Sequence, residues 1–231
     1  MSSGFTVEVL GEDALLLRFG DGIDAAINRT VHACAAALDR RRPSWLIDIV
    51  PGFSTLALGI DLEPFADSAE PLADVRRWLE SRKLEDPDND GVGSEQVHQI
   101  SVHYGGEWGP DLDAVAIHAG LTPAQVIRLH TSIEYRVGML GFAPGFPYLI
   151  GMDQRLSIPR HATPRTKVHA GSVGIAGAQT GIYPRSGPGG WQIIGRTEDI
   201  LFDAYCEHPA LLEPGDCVRF IDASEPSGLL P

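Results

Sequence analysis

Residues 171–191 read GSVGIAGAQTGIYPRSGPGGW, and this stretch constrains the fold more than any other part of the chain. Its glycines permit positive φ and close backbone approach, whereas its prolines fix φ and remove a backbone donor. Side chains typical of a protein core interrupt it, namely Val173, Ile175, Ile182, Tyr183 and Trp191. The mixture is too ordered for a linker and predicts short strands joined by shaped turns around a cavity.

Two earlier blocks have the same character: GFAPGFPYL (141–149) and PRHATPR (159–165). After Tyr135 the sequence predicts a series of short strands, over Arg136–Leu140, Ser172–Ala176, Gly181–Tyr183, Trp191–Gly195 and Cys217–Asp222. Many short strands with Gly/Pro corners favour a barrel or a sandwich over a parallel doubly wound sheet.

The first 86 residues predict a separate α+β domain. Alternating apolar residues and helical periodicity give two strands, a helix, two strands and a helix, over Phe5–Leu10, Ala14–Phe19, Ala25–Arg40 (after an N-cap at Asp24), Trp45–Val50, Thr55–Ile60 and Pro71–Lys83. We therefore predict an α+β N-terminal domain over residues 1–86.

An acidic, turn-rich stretch, EDPDNDGVGSE (85–95), separates this domain from the next, and we place the linker at residues 87–96. The second domain, residues 97–231, opens with a strand over Val97–Tyr104 and two short helices, Leu112–Ala119 and Pro123–His130. Thr122 and Gln125 form a capping-box pattern with proline at the first helical position.

Composition narrows the class of protein. The chain has 231 residues, 43% of them hydrophobic, and a formal charge of −13. This acidity argues against broad binding to nucleic-acid phosphates, which needs clustered Lys and Arg. No apolar run approaches the roughly 18 residues of a membrane span, and the N-terminus lacks a signal-peptide pattern. Three cysteines without CxxC spacing predict reduced thiols in a cytoplasmic protein.

The sequence gives little support to four specific kinds of site: DNA-binding, metal, nucleotide and serine-hydrolase sites. Residues 113–130 superficially resemble a helix-turn-helix, but the second helix offers only Arg128 and His130 as basic contacts, and two packing helices explain the pattern better. His161 and His169 have no carboxylate at ligand spacing, so we predict no metal site. The GxxGxxG spacing from Gly171 is neither a dinucleotide fingerprint nor a P-loop, and Ser172 lacks the GxSxG context of a hydrolase nucleophile.

What remains is a polar set within the Gly/Pro region: Arg160, Arg165, Lys167, Gln179, Thr180, Tyr183, Trp191 and Arg196. Arginine offers a planar fork for carboxylate or phosphate, Gln and Thr orient amides, and Tyr and Trp supply walls. The set suits a small, anionic, amide-bearing molecule. The alternative is that Arg165 and Arg196 only tie barrel turns to backbone carbonyls, and the residues alone leave both interpretations open.

The same blocks resemble the family whose members are variously called the B subunit of 5-oxoprolinase, allophanate hydrolase subunit 1 and KipI. The resemblance covers about residues 5–222. It is carried by GEDALLLRFGD (11–21), YGG (104–106), GPD (109–111), GFAPGFPYL (141–149), PRHATPR (159–165), AGSVGIAGAQTGIYP (170–184), PGGWQIIGRT (188–197) and LEPGD (212–216).

The resemblance implies that the second domain is a cyclophilin-like β-barrel. It also implies two partners: the carboxyltransferase-like C subunit (allophanate hydrolase subunit 2) and a LamB/YcsF-type A subunit. Together such proteins open 5-oxo-L-proline to L-glutamate with ATP, and this chain is expected to be inactive alone. A lactam is a poor electrophile, so the resemblance implies that ATP phosphorylates its carbonyl oxygen before water attacks. The ATP site is not indicated by this sequence.

The resemblance also lets us assign candidate roles. Negative charge that develops during the reaction is stabilised by nearby cations, and the substrate ring is positioned by side chains that fit around it. We predict Arg165 and Arg196 as the catalytic cations that contact carboxylate or phosphoryl groups. The predicted substrate-binding residues are Gln179, Thr180 and Tyr183 for the lactam, and Phe142, Phe146 and Trp191 for the apolar walls.

Other functions within the family stay open. KipI-type members bind and inhibit a histidine kinase, and an allophanate- or urea-related amide hydrolase is a further alternative. The chain lacks a biotin-carrying lysine in a Met-Lys-Met setting, so it is not the biotin carrier. Three departures from the family pattern border the predicted pocket: His103, His169 and Arg185-Ser-Gly187.

Overall fold

The computed structural model describes residues 4–82, 84 and 97–224. The chain divides into two compact units, Met1–Ser94 and Glu95–Pro231. The predicted linker, residues 87–96, lies outside the described residues, so its placement stays a prediction. Among the described residues, no helix is both long and apolar enough to cross a bilayer.

The first unit is a four-stranded antiparallel sheet with two helices. Its elements in chain order are β1 (Thr6–Val9), β2 (Ala14–Arg18), α1 (Ala25–Arg40), β3 (Leu46–Pro51), β4 (Thr55–Ile60) and α2 (Pro71–Glu80). The strands lie in the order β1-β2-β4-β3. Both helices and four strands occupy the predicted positions, although α2 ends three residues earlier than the periodicity indicated.

Alternation along the central strands builds the core of this unit. Leu56, Leu58 and Ile60 of β4 are buried at every second position, as expected for a strand with one covered face. Asp24 caps α1, because its carboxylate accepts the backbone N–H groups of Ala26 and Ile27. The predicted N-cap is therefore confirmed.

The second unit is a closed seven-stranded barrel. Its strands and helices are β5 (Val97–Tyr104), α3 (Leu112–Ala119), α4 (Pro123–Thr131), β6 (Glu134–Leu140), β7 (Pro147–Ile150), β8 (Arg165–Val168), β9 (Ser172–Ala176), β10 (Gln179–Ile182), β11 (Gly187–Gly189), β12 (Gln192–Arg196) and β13 (Cys217–Asp222). The barrel order is β10-β7-β6-β13-β5-β12-β9, in which only β13 and β5 run parallel. Strands β8 and β11 form a separate two-stranded ribbon. The predicted α+β unit followed by a mainly-β barrel is confirmed.

Three of these strands, β7, β8 and β11, were not predicted. Each has three or four residues and carries proline, glycine or charge, so none shows a run of alternating apolar residues. The capping box of α4 is present in full. The Thr122 hydroxyl accepts from the backbone N–H of Gln125, and the side-chain oxygen of Gln125 accepts from the backbone N–H of Thr122.

A polar chain runs through the otherwise apolar barrel interior. His130 is fully buried, and its Nε2 lies 3.0 Å from the Thr180 hydroxyl, which lies 3.0 Å from the Gly174 carbonyl oxygen. Because a carbonyl only accepts, Thr180 donates to Gly174 and accepts from Nε2–H of His130. Nδ1 is then the acceptor for the Tyr104 hydroxyl at 2.8 Å. Burial lowers the pKa of His130 to about 3, so the ring is neutral.

The outer barrel wall carries a layer of aromatic rings. Phe146, Tyr148, Tyr183 and Trp191 contact one another at ring-centroid separations between 4.9 and 5.8 Å. Gly181 of β10 makes room for them, because a Cβ there would lie 3.1 Å from both the Phe146 and Trp191 rings and 2.7 Å from the Pro147 carbonyl oxygen. The glycine-rich sequence thus lets large rings pack closely against the wall.

Candidate functional site

A cavity of about 120 Å³ lies on the outside of the barrel wall, in the second unit. Its walls come from the loop after β5, the ribbon strand β8, and barrel strands β9 and β12. The lining residues are Glu107, Trp108, Pro110, Arg165, Lys167, Val168, His169, Ser172, Ile193 and Arg196.

The loop after β5 is held against β12 by backbone hydrogen bonds. The N–H of Gly105 donates to the Ile194 carbonyl at 3.0 Å, and that of Asp111 donates to the Ile193 carbonyl at 2.9 Å. Gly109 permits this approach, since a Cβ at that position would overlap the Ile194 carbonyl oxygen. The loop therefore places Trp108 in the cavity wall and holds Asp111 against β12.

Asp111 is the buried anion of the site. Its carboxylate accepts from Arg165 Nη2 at 2.6 Å and from the backbone N–H of Ile193 at 2.6 Å. Arg165 Nη1 lies 2.8 Å from His161 Nε2, and because guanidinium groups only donate, Nε2 accepts this bond. The 3.3 Å approach of His161 Nε2 to the carboxylate is then a contact between two acceptors. Arg165 thus already has a carboxylate partner.

Arg196 has a different environment. Its guanidinium lies 3.9 Å from the centroid of the Trp108 ring, a cation–π distance. The Trp108 ring also stacks on His103 at 5.1 Å. Among the described residues, no carboxylate pairs with Arg196. Of the two predicted cations, Arg196 is therefore the one whose donors remain open to a ligand.

The predicted apolar walls gather in the aromatic layer rather than around the cavity. Phe142 packs edge-on against Phe146 and Tyr183, at 5.4 and 6.2 Å. It is 65% exposed and has φ of 64°, a left-handed conformation that is rare for a bulky side chain. Burial raises the pKa of Tyr183, whose hydroxyl is also hydrogen-bonded at the Trp191 backbone.

The two remaining predicted residues lie elsewhere on the barrel. Thr180 is fully buried in the interior chain with His130. Gln179 begins β10 opposite Ala176, and its Nε2 is buried without a hydrogen-bond partner in the described part of the chain. Neither lines the cavity. Arg165 and Arg196 both line the cavity, whereas the six predicted substrate-binding residues do not. One of the six still contacts Arg165, because Arg165 Nη1 donates to the Trp191 carbonyl at 3.5 Å.

Sequence reasoning assigned no role in the site to Trp108, Asp111 or His161. The first two lie in the segment Tyr104–Asp111, which contributed only to the family resemblance. The carboxylate near His161 is that of Asp111, which lies 50 positions away in the sequence and is brought close only by tertiary folding. No group of three or more metal-ligating side chains occurs within residues 4–82, 84 and 97–224.

Comparison with known proteins agrees with this architecture. The family profile for the carboxyltransferase domain, subdomain C and D, matches residues 5–212. The chain is 43% identical to the 5-oxoprolinase B subunit of Bacillus subtilis, over 97% of this chain and 95% of the relative. It is 40% identical to the 5-oxoprolinase B subunit of Escherichia coli O157:H7, over 94% of this chain and 95% of the relative.

Among solved structures, TTHA0988 superposes with a TM-score of 0.78 at 38% identity. The match covers 92% of this chain but only 40% of that longer chain. Together with the profile match and the two bacterial relatives, it establishes that the chain is a member of the carboxyltransferase-domain C/D family that includes the 5-oxoprolinase B subunits.

Proposed function

We propose that this chain is the B subunit of an ATP-dependent 5-oxoprolinase, which opens the lactam of 5-oxo-L-proline to give L-glutamate. The relatives at 40% and 43% identity that carry this name support the assignment. The observation in the chain itself that carries it is the cavity, where Arg165 and Arg196 meet beside Trp108. A cationic, partly apolar cavity suits a small cyclic acid.

In this proposal the two arginines have unequal roles. Arg196 contacts the substrate, because its guanidinium has only the Trp108 ring as a neighbouring partner among the described residues. Arg165 supports the cavity wall through its ion pair with Asp111, which neutralises its charge. Asp111 and His161 act through Arg165 and are positioning residues.

The nucleotide requires a site outside this cavity. Pockets for drug-sized ligands usually enclose about 300–1,000 Å³, whereas this cavity encloses about 120 Å³. The residues present therefore do not fit ATP. We propose that two partner proteins complete the ATP-dependent step, namely a carboxyltransferase-like C subunit and a LamB/YcsF-type A subunit, and that this chain is inactive alone.

The surface of the barrel unit supports the proposal that a partner protein binds to it. Large apolar side chains are exposed on it, including Phe142, Ile200 and Tyr205, the last of which is fully exposed. Exposed apolar groups of this size are often covered in an assembly. None of the three cysteines, all of which are described, forms a disulfide, which is compatible with a cytoplasmic complex.

The test is ATP-dependent release of glutamate from 5-oxo-L-proline. It is measured with this chain alone, with its two proposed partners without it, and with all three co-expressed. Activity only in the complete mixture is the expected outcome. A mixture that co-purifies but releases no glutamate contradicts the substrate assignment, and allophanate hydrolysis and inhibition of a histidine kinase are then the activities to assay.

A further inference from the structure

We propose that Ser172 and Arg196, together with Lys167, form the subsite for the carboxylate of a small monocarboxylic acid. This inference deepens the proposed function and rests on it for the identity of the acid. It keeps Arg196 from the sequence-based expectation, adds Ser172 and Lys167, and excludes Arg165.

The backbone register places these residues side by side. Arg196 of β12 is directly opposite Ser172 of β9 on one side and His103 of β5 on the other. Directly opposite residues of neighbouring strands share a face, with Cβ atoms about 4.5–5.5 Å apart. Trp108 lies over this row, because its ring contacts both Arg196 and His103. The row is therefore a preformed surface with an aromatic wall.

Two polar groups in the row lack a protein partner. Ser172 is 4% exposed and lines the cavity, yet its hydroxyl makes no hydrogen bond within the described part of the chain. The guanidinium of Arg196 likewise has no hydrogen-bond acceptor among the described residues. The hydroxyl oxygen of Ser172 keeps access to the cavity, so a ligand that accepts from both groups would satisfy them together.

The charges of the cavity match a monoanion. Arg165 is neutralised by Asp111. Arg196 and Lys167 then supply two positive charges, and Glu107 supplies one negative charge at the cavity wall; among the described residues none of these three forms an ion pair. One net positive charge suits a carboxylate better than a phosphate dianion, and Glu107 would repel the second charge of phosphate.

The size of the cavity also favours a small monocarboxylic acid. A volume of about 120 Å³ admits a small ring but is below the usual range for drug-sized ligands. The Trp108 indole offers a flat surface for a five-membered ring. The subsite therefore selects a small cyclic or linear acid and excludes a nucleotide.

The experiment measures binding of 5-oxo-L-proline to the full chain and to the co-expressed complex by isothermal titration and tryptophan fluorescence. Pyrrolidin-2-one, which has the lactam but no carboxylate, is the matched control ligand. We expect it to bind at least about tenfold more weakly, since charge-assisted hydrogen bonds are about twice as strong as neutral ones. The Trp108→Phe variant should lose the fluorescence response.

Two variants and a matched control test the residues. Arg196→Gln should weaken binding of 5-oxo-L-proline by at least about tenfold, and Ser172→Ala by roughly threefold to tenfold. Both should leave the weak binding of pyrrolidin-2-one unchanged, which distinguishes loss of the carboxylate contact from misfolding. Arg128→Gln, an exposed arginine on α4 outside the cavity, should bind as the parent does.

The inference is overturned if pyrrolidin-2-one and 5-oxo-L-proline bind equally well, or if Arg196→Gln leaves the affinity unchanged. It is also overturned if ATP or inorganic phosphate displaces the acid at comparable concentration, or if neither the chain nor the complex binds the acid. The proposed function can fail separately. Carboxylate-dependent binding without glutamate release keeps the subsite and rejects the reaction. Glutamate release with an unchanged KM in Arg196→Gln keeps the reaction and rejects the subsite.

Discussion

The two units of this chain differ in the side chains that build their buried cores. The core of the first unit is built from aliphatic and aromatic side chains such as Leu15, Leu58 and Trp45. The barrel unit buries a neutral histidine, His130 of α4, and packs a layer of rings on its outer wall against glycines. The cavity described above lies in the barrel unit.

The difference indicates which unit tolerates substitution less well. The cavity needs a buried carboxylate at Asp111 and a close backbone approach at Gly109, and each lowers the tolerance of the barrel to substitution. The ion pair that the first unit carries on its sheet, Arg18 with Glu8, is exposed. Four sets of substitutions test this contrast, from the largest expected effect to the smallest.

Gly109→Ala should have the largest effect. Its Cβ would meet the Ile194 backbone, which has no freedom to turn away, so we expect a loss beyond about 3 kcal/mol, the upper end of ordinary overpacking. Hydrogen exchange followed by mass spectrometry should show lost protection in the barrel unit and unchanged protection in residues 4–82. The matched control is Gly187→Ala, which meets nothing within 4 Å. Equal stability of the two variants would contradict the role of Gly109.

Asp111→Asn should destabilise the barrel by about 3 kcal/mol. It keeps the shape of the side chain but removes the charge that partners Arg165, and removing one member of a buried pair typically costs about 3–5 kcal/mol. Denaturant unfolding measures the loss. Glu8→Gln, at the exposed pair of the first unit, should change stability by no more than the error of the measurement. An equally small effect at Asp111 would mean that solvent screens both pairs.

The barrel should lose stability in acid through His130. Its folded pKa of about 3 lies below the ordinary value of 6.5, so the unfolded chain binds a proton that the folded chain excludes. The contribution is complete above pH 6.5 and falls by about 1.4 kcal/mol per unit as the pH drops toward 3. His130→Gln should be less stable at pH 7 but should lack this slope. Parallel pH profiles of the two proteins between about pH 4 and 7 would contradict the assignment.

Helix caps should have the smallest effect and should not distinguish the units. Thr122→Ala removes the capping box of α4 and should cost about 1 kcal/mol. Asp24→Ala should act in the same direction on α1. The backbone N–H groups of Ile27 and Ala26 lower the pKa of Asp24, so this contribution is present above pH 3.8 and fades as the pH falls below it. A much larger loss for either variant, measured by thermal unfolding, would indicate a tertiary role.

Local sequence patterns determined most of the elements. Alternation, helical periodicity and capping residues located α1, β4, β5, α3 and β9 at or very near their observed ends, because each signal depends on neighbours a few positions away. The Gly/Pro-rich region also predicted short strands and a cavity, and the chain has both. The family resemblance supplied the order of an α+β unit followed by a barrel.

Tertiary structure decided the site. The sequence placed eight candidate residues in one region. It could not show that Asp111 would neutralise Arg165, that Arg196 would lie against the Trp108 ring, or that Thr180 would be buried beside His130. The physical reason is distance along the chain. Arg165 and Asp111 are 54 positions apart, and His130 and Thr180 are 50 apart, so these contacts exist only after the barrel closes.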